Sequence, residues 1–255
     1  MPYKLGKLLL LGFALCGALG LTECWAQSSA PAKSSPAGPI PAGEYRTELG
    51  WGQLSISPAV NGAPTFSLHT ATGEDICDIQ GRLVNNEGQA TDNETGQVCR
   101  IAFTPQPRGL DVKPITPDSC RGFCGANGGF KGFYVALMPA CQANAIEATR
   151  EAFKRLYEDK AYPAALAKLK PVLDRCGTTL DFVELGDIRN DVAITQYRNN
   201  RSNDCLKTLA PYAADAKRDD KEIVADWPST EGDDYLKIVH AARTNIRLCS
   251  KATGK

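Results

Sequence analysis

The cysteines of this 255-residue chain are its leading candidates for reactive or metal-binding side chains. Cys120 and Cys124 enclose the segment Arg-Gly-Phe, and Cys141 follows after a glycine-rich stretch. Thiolates can coordinate zinc, act as a redox pair or form structural disulfides. The C-x-x-x-C spacing is neither that of a C-x-x-C redox motif nor that of a paired zinc knuckle. We therefore predict disulfides, and a zinc site formed by Cys77, Cys99, Cys120 and Cys124 is the alternative.

The start of the chain has the pattern of a secretory signal peptide over residues 1–26. Lys4 and Lys7 supply the positive charge, residues 8–21 form an apolar run, and Ala26 ends a small-x-small cleavage site. The apolar run is too short for a comfortable membrane span. We therefore expect no stable membrane insertion after the signal is cleaved.

Lipidation of Cys16 or Cys24 is the alternative to a cleaved signal. Leu15 and Glu23 precede these cysteines, and neither is the small residue that a lipoprotein cleavage site requires. We therefore expect an exported chain, periplasmic or secreted, from which both cysteines have been removed. Removing these two from the ten cysteines leaves eight, an even set that favours disulfide bonds in an oxidising compartment.

The composition changes twice in the first half of the chain. Residues 27–43 are rich in Ala, Ser, Pro and Gly, which predicts a flexible linker. Residues 44–140 show short alternating apolar runs between turn residues, which predicts roughly six to eight antiparallel strands in a sandwich or small barrel. The clearest runs are Leu54–Ile56, Phe66–Thr70, Ile76–Val84, Val98–Phe103, Leu110–Val112 and Phe130–Leu137.

Residues 141–255 follow the 3.6-residue period of amphipathic helices. The predicted fold class is therefore α+β, with an N-terminal antiparallel β domain and a C-terminal helical-repeat domain. The segment from Asp219 to Gly232 is expected to be the longest loop between helices, and it carries Trp227. The predicted helices cover Ile146–Tyr157, Tyr162–Leu173, Phe182–Val192, Leu206–Tyr212 and Tyr235–Ile246.

An internal repeat of about forty residues relates two parts of the helical region. The matched positions are Tyr157 and Tyr197, Leu166 and Leu206, Leu169 and Leu209, and Pro171 and Pro211. The paired prolines predict that each second helix kinks or ends at the same place. The stretch Tyr157–Leu166 resembles the helix–turn–helix of a tetratricopeptide repeat, without its usual Trp and Gly. The resemblance extends over roughly residues 145–250 and implies a concave surface for a protein or peptide.

The cysteines and glycines of the first half also carry a resemblance. They are Cys77, Cys99, Cys120-x-x-x-Cys124-Gly and Gly132-x-Tyr134. The pattern resembles small cysteine-bonded β domains of exported bacterial proteins, sometimes found beside LprI-type lysozyme-inhibitor modules. For activity, this resemblance implies an inhibitor of lysozyme or a related envelope toxin.

The predicted elements suggest a pairing for the eight remaining cysteines. Neighbouring strands, a tight loop and the meeting ends of antiparallel helices each bring two cysteines together. The resulting pairs are Cys77–Cys99, Cys120–Cys124, Cys141–Cys176 and Cys205–Cys249. Spacing alone leaves other connectivities open.

Charge and motif content argue against several functions. The 29 basic and 29 acidic residues leave no basic excess for binding nucleic acid or an anionic membrane surface. His69 and His240 fall in different halves, and no hydrolase or zinc-protease motif is present. The adjacent carboxylates Glu74-Asp75 and Asp233-Asp234 are expected at solvated turns and a helix start. We predict no catalytic residue, cofactor or metal.

Aromatic side chains are the remaining binding candidates. Trp227 stands beside Pro228 in a polar stretch, and Tyr157 and Tyr197 occupy matched positions of the repeat. We predict a non-enzymatic protein-binding module whose partner is another envelope protein or a peptide. An inhibitor of lysozyme or a related cell-wall-active toxin is the first alternative, and a cell-wall-active enzyme is the second.

Overall fold

Eight antiparallel strands follow one another in sequence order around a closed barrel, in which the first strand pairs with the last. The computed structural model describes residues 38–59, 62–72 and 74–253 of the chain. The predicted signal peptide, residues 1–26, and most of the predicted linker, residues 27–43, lie outside the described residues. The strands are β1 (Gly43–Thr47), β2 (Gly52–Ser57), β3 (Thr65–Thr72), β4 (Asp75–Val84), β5 (Glu87–Thr91), β6 (Val98–Gln106), β7 (Gly109–Pro114) and β8 (Gly132–Ala136).

One short helix interrupts the barrel strands, and the other helices follow them. Within the described residues the α-helices are α1 (Pro117–Cys120), α2 (Ala143–Glu158), α3 (Tyr162–Cys176), α4 (Phe182–Arg198), α5 (Ser202–Thr208), α6 (Asp220–Ala225) and α7 (Gly232–Thr253). The α+β prediction is confirmed. Of the two predicted β architectures, a sandwich and a small barrel, the structure has the barrel. In the described part of the chain, no helix is both long enough and apolar enough to cross a membrane.

Side chains from alternate strand positions fill the interior of the barrel. The predicted apolar residues Leu54, Leu68 and Ile79 are fully buried. The rings of Phe66 and Phe103 meet edge to face, with their centroids 5.3 Å apart. An eight-stranded barrel has an interior just wide enough for side chains to fill, so this part of the molecule is a packed core.

Strand β5 is poor in the apolar residues that mark a strand. Its sequence is Glu-Gly-Gln-Ala-Thr, and only Ala90 contributes a buried apolar side chain. A Cβ atom on Gly88 would lie 2.5 Å from the Phe103 ring and 2.9 Å from the Phe66 ring. The strand therefore leaves space for two phenylalanines, which is why its sequence shows no apolar alternation.

The segment between β7 and β8 crosses the end of the barrel at which β4 and β6 begin. Disulfide bonds join Cys124 to Cys77 of β4, and Cys120 to Cys99 of β6. Phe130 of the same segment is 4% exposed and packs into the barrel core. The segment is therefore a covalently attached cover, and all four thiols of the alternative zinc site are in disulfides.

The predicted pairs Cys77–Cys99 and Cys120–Cys124 are wrong. Strand β5 lies between β4 and β6 in the barrel, so the two strand cysteines are not on neighbouring strands. Both cysteines nevertheless face the same barrel end, because β4 and β6 run in the same direction. The cover reaches each of them from outside the sheet.

Both helical disulfides have the predicted partners. Cys141, just before α2, bonds to Cys176 at the end of α3. Cys205 of α5 bonds to Cys249 of α7. Together the four disulfides indicate an oxidising compartment.

The turn that follows α2 recurs after α4. Lys160 and, forty residues later, Asn200 both have a φ of 58°. In each turn the next residue, Ala161 or Arg201, donates its backbone N–H to a carbonyl of the preceding helix at 2.9 Å. This combination is a Schellman motif, in which a left-handed residue ends the helix. The two helix–turn–helix units therefore share one turn geometry.

The paired prolines do not end their helices at the same place. Helix α3 continues through Pro171 to Cys176. Helix α5 ends at Thr208, and Pro211 lies in the 3-10 turn that follows. The prediction of a shared helix end is therefore wrong, because Pro171 lies inside α3 whereas the seven-residue helix α5 ends before Pro211.

The predicted loop from Asp219 to Gly232 contains the short helix α6. The Asp219 carboxylate caps this helix by accepting the backbone N–H of Lys221 at 2.9 Å. Ile223 is its one fully buried apolar residue among those described. A single buried residue does not establish a helical period, so the sequence alone predicts a loop here.

The barrel contacts the helices through β1 and the 3-10 turn Glu48–Gly50 that follows it. The Leu49 N–H donates to the Thr178 carbonyl at 2.9 Å. The Arg46 guanidinium lies 2.8 Å from the Glu184 carboxylate of α4, and the Arg46 side chain is only 9% exposed. Water competes weakly for such a pair, so it holds the two parts in a fixed relation.

Tryptic digestion without reduction tests the barrel disulfides, because cleavage after Arg82, Arg100 and Arg121 places the four barrel cysteines on separate peptides. The structure predicts two linked pairs by mass spectrometry. They are residues 47–82 with 122–131, and residues 83–100 with 109–121. Recovery of residues 47–82 linked to 83–100 would contradict the pairing.

Substitution of Gly50 tests the packing of the 3-10 turn on the helices. Gly50 and Gly96 have φ values of +69° and +70°, but a Cβ atom at Gly50 would lie 2.5 Å from the Asp181 nitrogen, whereas Gly96 faces open space. We expect Gly96→Ala to reduce the free energy of unfolding by about 1 kcal/mol through backbone strain. Gly50→Ala adds overpacking, for a total of about 2–4 kcal/mol.

Urea unfolding with intact disulfides measures both variants. Equal losses of unfolding free energy in Gly50→Ala and Gly96→Ala would show that the turn does not pack tightly on the helices.

Candidate partner-binding site

Two of the three predicted partner-binding residues lie beside the same arginine. Tyr157 is in the last turn of α2, Tyr162 begins α3, and Tyr197 and Arg198 end α4. We name these four residues the tyrosine–arginine cluster. The Schellman turn after each of α2 and α4 reverses the chain, which places the two helix ends and the start of α3 close together.

Arg198 connects the three rings. Its Cζ atom lies 6.0 Å from the centroid of the Tyr162 ring and 5.9 Å from that of Tyr197, both within cation–π range. A side-chain hydrogen bond to Tyr157 raises the pKa of the Arg198 guanidinium above its ordinary value. The Tyr157 and Tyr162 rings meet edge to face at 5.2 Å. The arginine is therefore held by aromatic rings and stays positively charged.

The cluster presents both apolar surface and charge to solvent. Its three tyrosines are half-buried, and Arg198 is exposed. Among the described residues, no carboxylate forms a salt bridge with Arg198, whereas the nearby Arg201 is 2.6 Å from Asp204. An exposed guanidinium that is held in place without an anionic partner can bind a carboxylate of another molecule.

A groove adjoins the cluster on the surface of α3. Its volume is about 390 Å³. The lining residues are Pro163, Leu166, Ala167, Lys170, Pro171, Asp174, Asn199 and Arg201. Lys170 is bound to Asp174 at 2.6 Å, so the charges along this wall are internally compensated. The groove therefore offers mainly apolar contacts beside the charged cluster.

Trp227 does not join the tyrosine–arginine cluster. It is half-buried, stacks on the Tyr235 ring at 4.2 Å and contacts the Phe182 ring at 4.8 Å. The Tyr235 hydroxyl in turn donates to Asp215 at 2.6 Å. The main contacts of Trp227 are thus internal, and they fix the segment around α6 against α4 and α7.

The two histidines lie in different parts of the fold. His69 is exposed on β3. His240 of α7 lies 2.8 Å from the Asp220 carboxylate, which also accepts from Arg243. These hydrogen bonds lower the pKa of Asp220, chiefly through Arg243. The three residues attach α6 to α7.

The adjacent carboxylates are likewise placed in separate elements. Glu74 lies between β3 and β4, and Asp75 begins β4. Asp233 and Asp234 are in the first turn of α7. Glu74 accepts a hydrogen bond from the Ser229 hydroxyl at 2.5 Å. This contact links the barrel to the segment between α6 and α7.

A charge cluster between α2 and α4 has no signal in the sequence pattern. Arg150 of α2 lies 3.2 Å from the Asp187 carboxylate and 3.9 Å from that of Asp191. Burial raises the pKa of Asp191 to about 6, and the attraction of Arg150 offsets this only in part. The Asp191 carboxyl can therefore change its charge in a pH range where an ordinary aspartate stays ionised.

Comparison with protein-family models, with curated proteins and with solved structures gives no match for the chain. The candidate site is therefore defined by its side-chain geometry. Of its four members, Tyr157 and Tyr197 are marked by the repeat, whereas Tyr162 and Arg198 gain their positions from the way the helices pack.

The raised pKa of Asp191 makes stability depend on pH. The carboxyl has a pKa of about 6 in the folded protein and about 3.9 in an unfolded chain, so the folded state binds the proton more tightly. This contribution to stability is complete below about pH 4 and is lost as the pH rises through about 6. The wild type should therefore gain stability relative to Asp191→Asn between about pH 7.5 and about pH 5.

Urea unfolding of both proteins at the two pH values measures this difference, and other titrating groups cancel in the comparison. A difference in unfolding free energy that stays constant with pH, or that changes in the opposite direction, would contradict the raised pKa.

Proposed function

We propose that the chain is a non-enzymatic protein-binding module that acts in the periplasm or after secretion. The tyrosine–arginine cluster is the observation that carries the proposal, because three half-buried tyrosines surround an exposed arginine without a carboxylate partner among the described residues. Tyrosine and arginine are enriched at the energetic centres of protein interfaces. The proposed partner is another envelope protein or a peptide.

The repeated turn supports a tetratricopeptide-like interpretation of α2 to α5. Lys160 and Asn200 end the first helix of each unit in the same backbone conformation. Stacked helix pairs form extended surfaces that bind peptides and proteins. The tyrosine–arginine cluster draws residues from both units, so a ligand there would contact the two helix pairs together.

Pre-organisation of the cluster favours binding. Arg198 is already positioned by a hydrogen bond and two aromatic faces, so less side-chain entropy is lost when it meets a carboxylate. The adjoining groove of about 390 Å³ can receive apolar side chains next to that contact. A peptide that carries a carboxylate beside an apolar residue would satisfy both features.

A site-specific crosslink tests the proposal. A benzoylphenylalanine in place of Tyr197 keeps an aromatic ring in the cluster, and the same group in place of Thr91, exposed on β5, is the control. Irradiation in an envelope or culture-medium extract should attach a protein or peptide at position 197 and not at position 91. Absence of such a product, or equal products at both positions, would contradict the proposed site.

The partner identified in this way is then measured against purified variants. We expect Arg198→Ala to weaken binding by about thirtyfold, as for a typical energetic centre of an interface. Arg247→Ala is the matched control, because Arg247 is an exposed arginine on α7. Isothermal titration calorimetry gives the dissociation constants, and equal affinities for the two variants would overturn the assignment of the cluster.

A further inference from the structure

A continuous groove runs along the junction between the barrel and the helices. Its central cavity, of about 670 Å³, is bounded by β1, the turn between β6 and β7, β8 and the end of α3. A cavity of about 320 Å³ shares Glu44 and Leu137 with it. Another of about 360 Å³ shares Pro107 and Arg108 with it. We name these three adjoining cavities the seam groove.

The walls of the seam groove expose apolar side chains. Met138 is 49% exposed in the central cavity, and Phe133 is 38% exposed in the cavity beyond the β6–β7 turn. Pro107 and Val135 extend the apolar surface between them. Methionine, aromatic and arginine side chains are enriched in protein interfaces, and this groove presents all three types.

Two charged side chains along the groove are already in salt bridges. Arg46 forms its salt bridge with Glu184 outside the groove, and Asp111 is paired with Lys113. The Glu44 carboxylate accepts a hydrogen bond from a neighbouring serine hydroxyl at 2.5 Å.

Arg108 and Arg175 are different, because neither makes a salt bridge or side-chain hydrogen bond within the described residues. Arg108 sits at the tip of the β6–β7 turn, and Arg175 lies at the end of α3. Glu44 is the one acid of the described lining without a salt bridge, so two positive charges face one negative charge. The charge available to a ligand in the seam groove is therefore positive.

The groove has a rigid frame. Cys141 lines it, and the disulfide from Cys141 to Cys176 fixes the end of α3 beside Arg175. The Arg46–Glu184 pair holds β1 against α4 at 2.8 Å. A groove whose walls are already fixed loses little entropy when a ligand enters.

We propose that the seam groove binds an extended peptide segment of another protein that combines carboxylate and apolar side chains. The carboxylates pair with Arg108 and Arg175, and the apolar side chains contact Met138 and Phe133. The chain's own N-terminal segment does not fit this chemistry, because the only charged residue in residues 27–37 is Lys33. An anionic polysaccharide would satisfy the arginines but leave the apolar wall uncovered.

The seam groove and the tyrosine–arginine cluster are separate surfaces. The groove reaches Gln142, just before α2, whereas Tyr157 is in the last turn of the same helix. A 16-residue helix is about 24 Å long, so the two surfaces lie at opposite ends of the α2–α3 pair. The inference therefore goes beyond the proposed function and is tested independently of it.

Fluorescence anisotropy with a labelled peptide of Glu-Leu-Pro repeats tests the proposal on the full mature chain. We expect saturable binding at physiological salt, with no binding of the matching Lys-Leu-Pro peptide and weaker binding of Glu-Ser-Pro repeats. Arg108→Glu combined with Arg175→Glu should weaken the binding at least about tenfold. Met138→Ser should weaken it less, because it removes one apolar contact and no charge.

The control variant combines Arg82→Glu and Arg247→Glu, which changes the net charge equally at exposed arginines outside the groove. It should bind the peptide like the wild type, as should Arg198→Ala, which affects only the tyrosine–arginine cluster. Thermal unfolding confirms that each variant is folded.

Three results would overturn the proposal. The first is no binding of Glu-Leu-Pro repeats at about 1 mM. The second is an equal loss of peptide affinity in the Arg108/Arg175 and Arg82/Arg247 double variants. The third is that dextran sulfate, an anionic polysaccharide, binds in a way that depends on Arg108 and Arg175 while the peptide does not bind. A failure confined to this experiment leaves the crosslink at position 197 unaffected, so the two sites are judged separately.

Discussion

Antiparallel pairing of β1 with β8 is the contact on which the rest of the structure depends. In this pair Tyr45 lies opposite Ala136, and Thr47 lies opposite Tyr134. The pairing closes the sheet, so that no strand edge is left open, and it encloses the packed interior. It also joins the two parts of the molecule, because β8 leads to Cys141 and α2 while β1 carries Arg46 to α4. The walls of the seam groove are fixed by the same pairing.

Disulfide bonds reinforce both the barrel and the helical part. The spacing of the barrel cysteines suggests metal or redox chemistry. Each barrel disulfide instead joins a strand to the cover over one barrel end. The cover buries Phe130 in the core, so its attachment protects the interior from solvent. In the helical part, Cys141–Cys176 joins the segment just before α2 to the end of α3, and Cys205–Cys249 joins α5 to α7. Both parts of the molecule thus carry disulfides, which indicates an oxidising compartment.

Arginine placement separates the structural surfaces from the candidate binding surfaces. Arg46 and Arg150 meet carboxylates within the fold and hold elements together. Arg198 is positioned by tyrosine rings, and Arg108 and Arg175 face the seam groove without acidic partners among the described residues. The overall charge is balanced at 29 basic and 29 acidic residues, so these local excesses are invisible in the composition. They arise because folding pairs some arginines and leaves others open.

Local spacing in the sequence was enough to determine the order of a β part and a helical part, the use of cysteines as disulfides and the partners of Cys141 and Cys205. These features depend on residues within one strand or one helix, or at the ends of two helices that pack together. It also marked Tyr157 and Tyr197 through the repeat, but it did not find Tyr162 or Arg198. The barrel disulfides, the internal packing of Trp227 and the pairing of the arginines became known only from the three-dimensional structure. Each of these depends on which distant segments become neighbours, as when β5 enters between β4 and β6, and the spacing of residues along the chain does not contain that information.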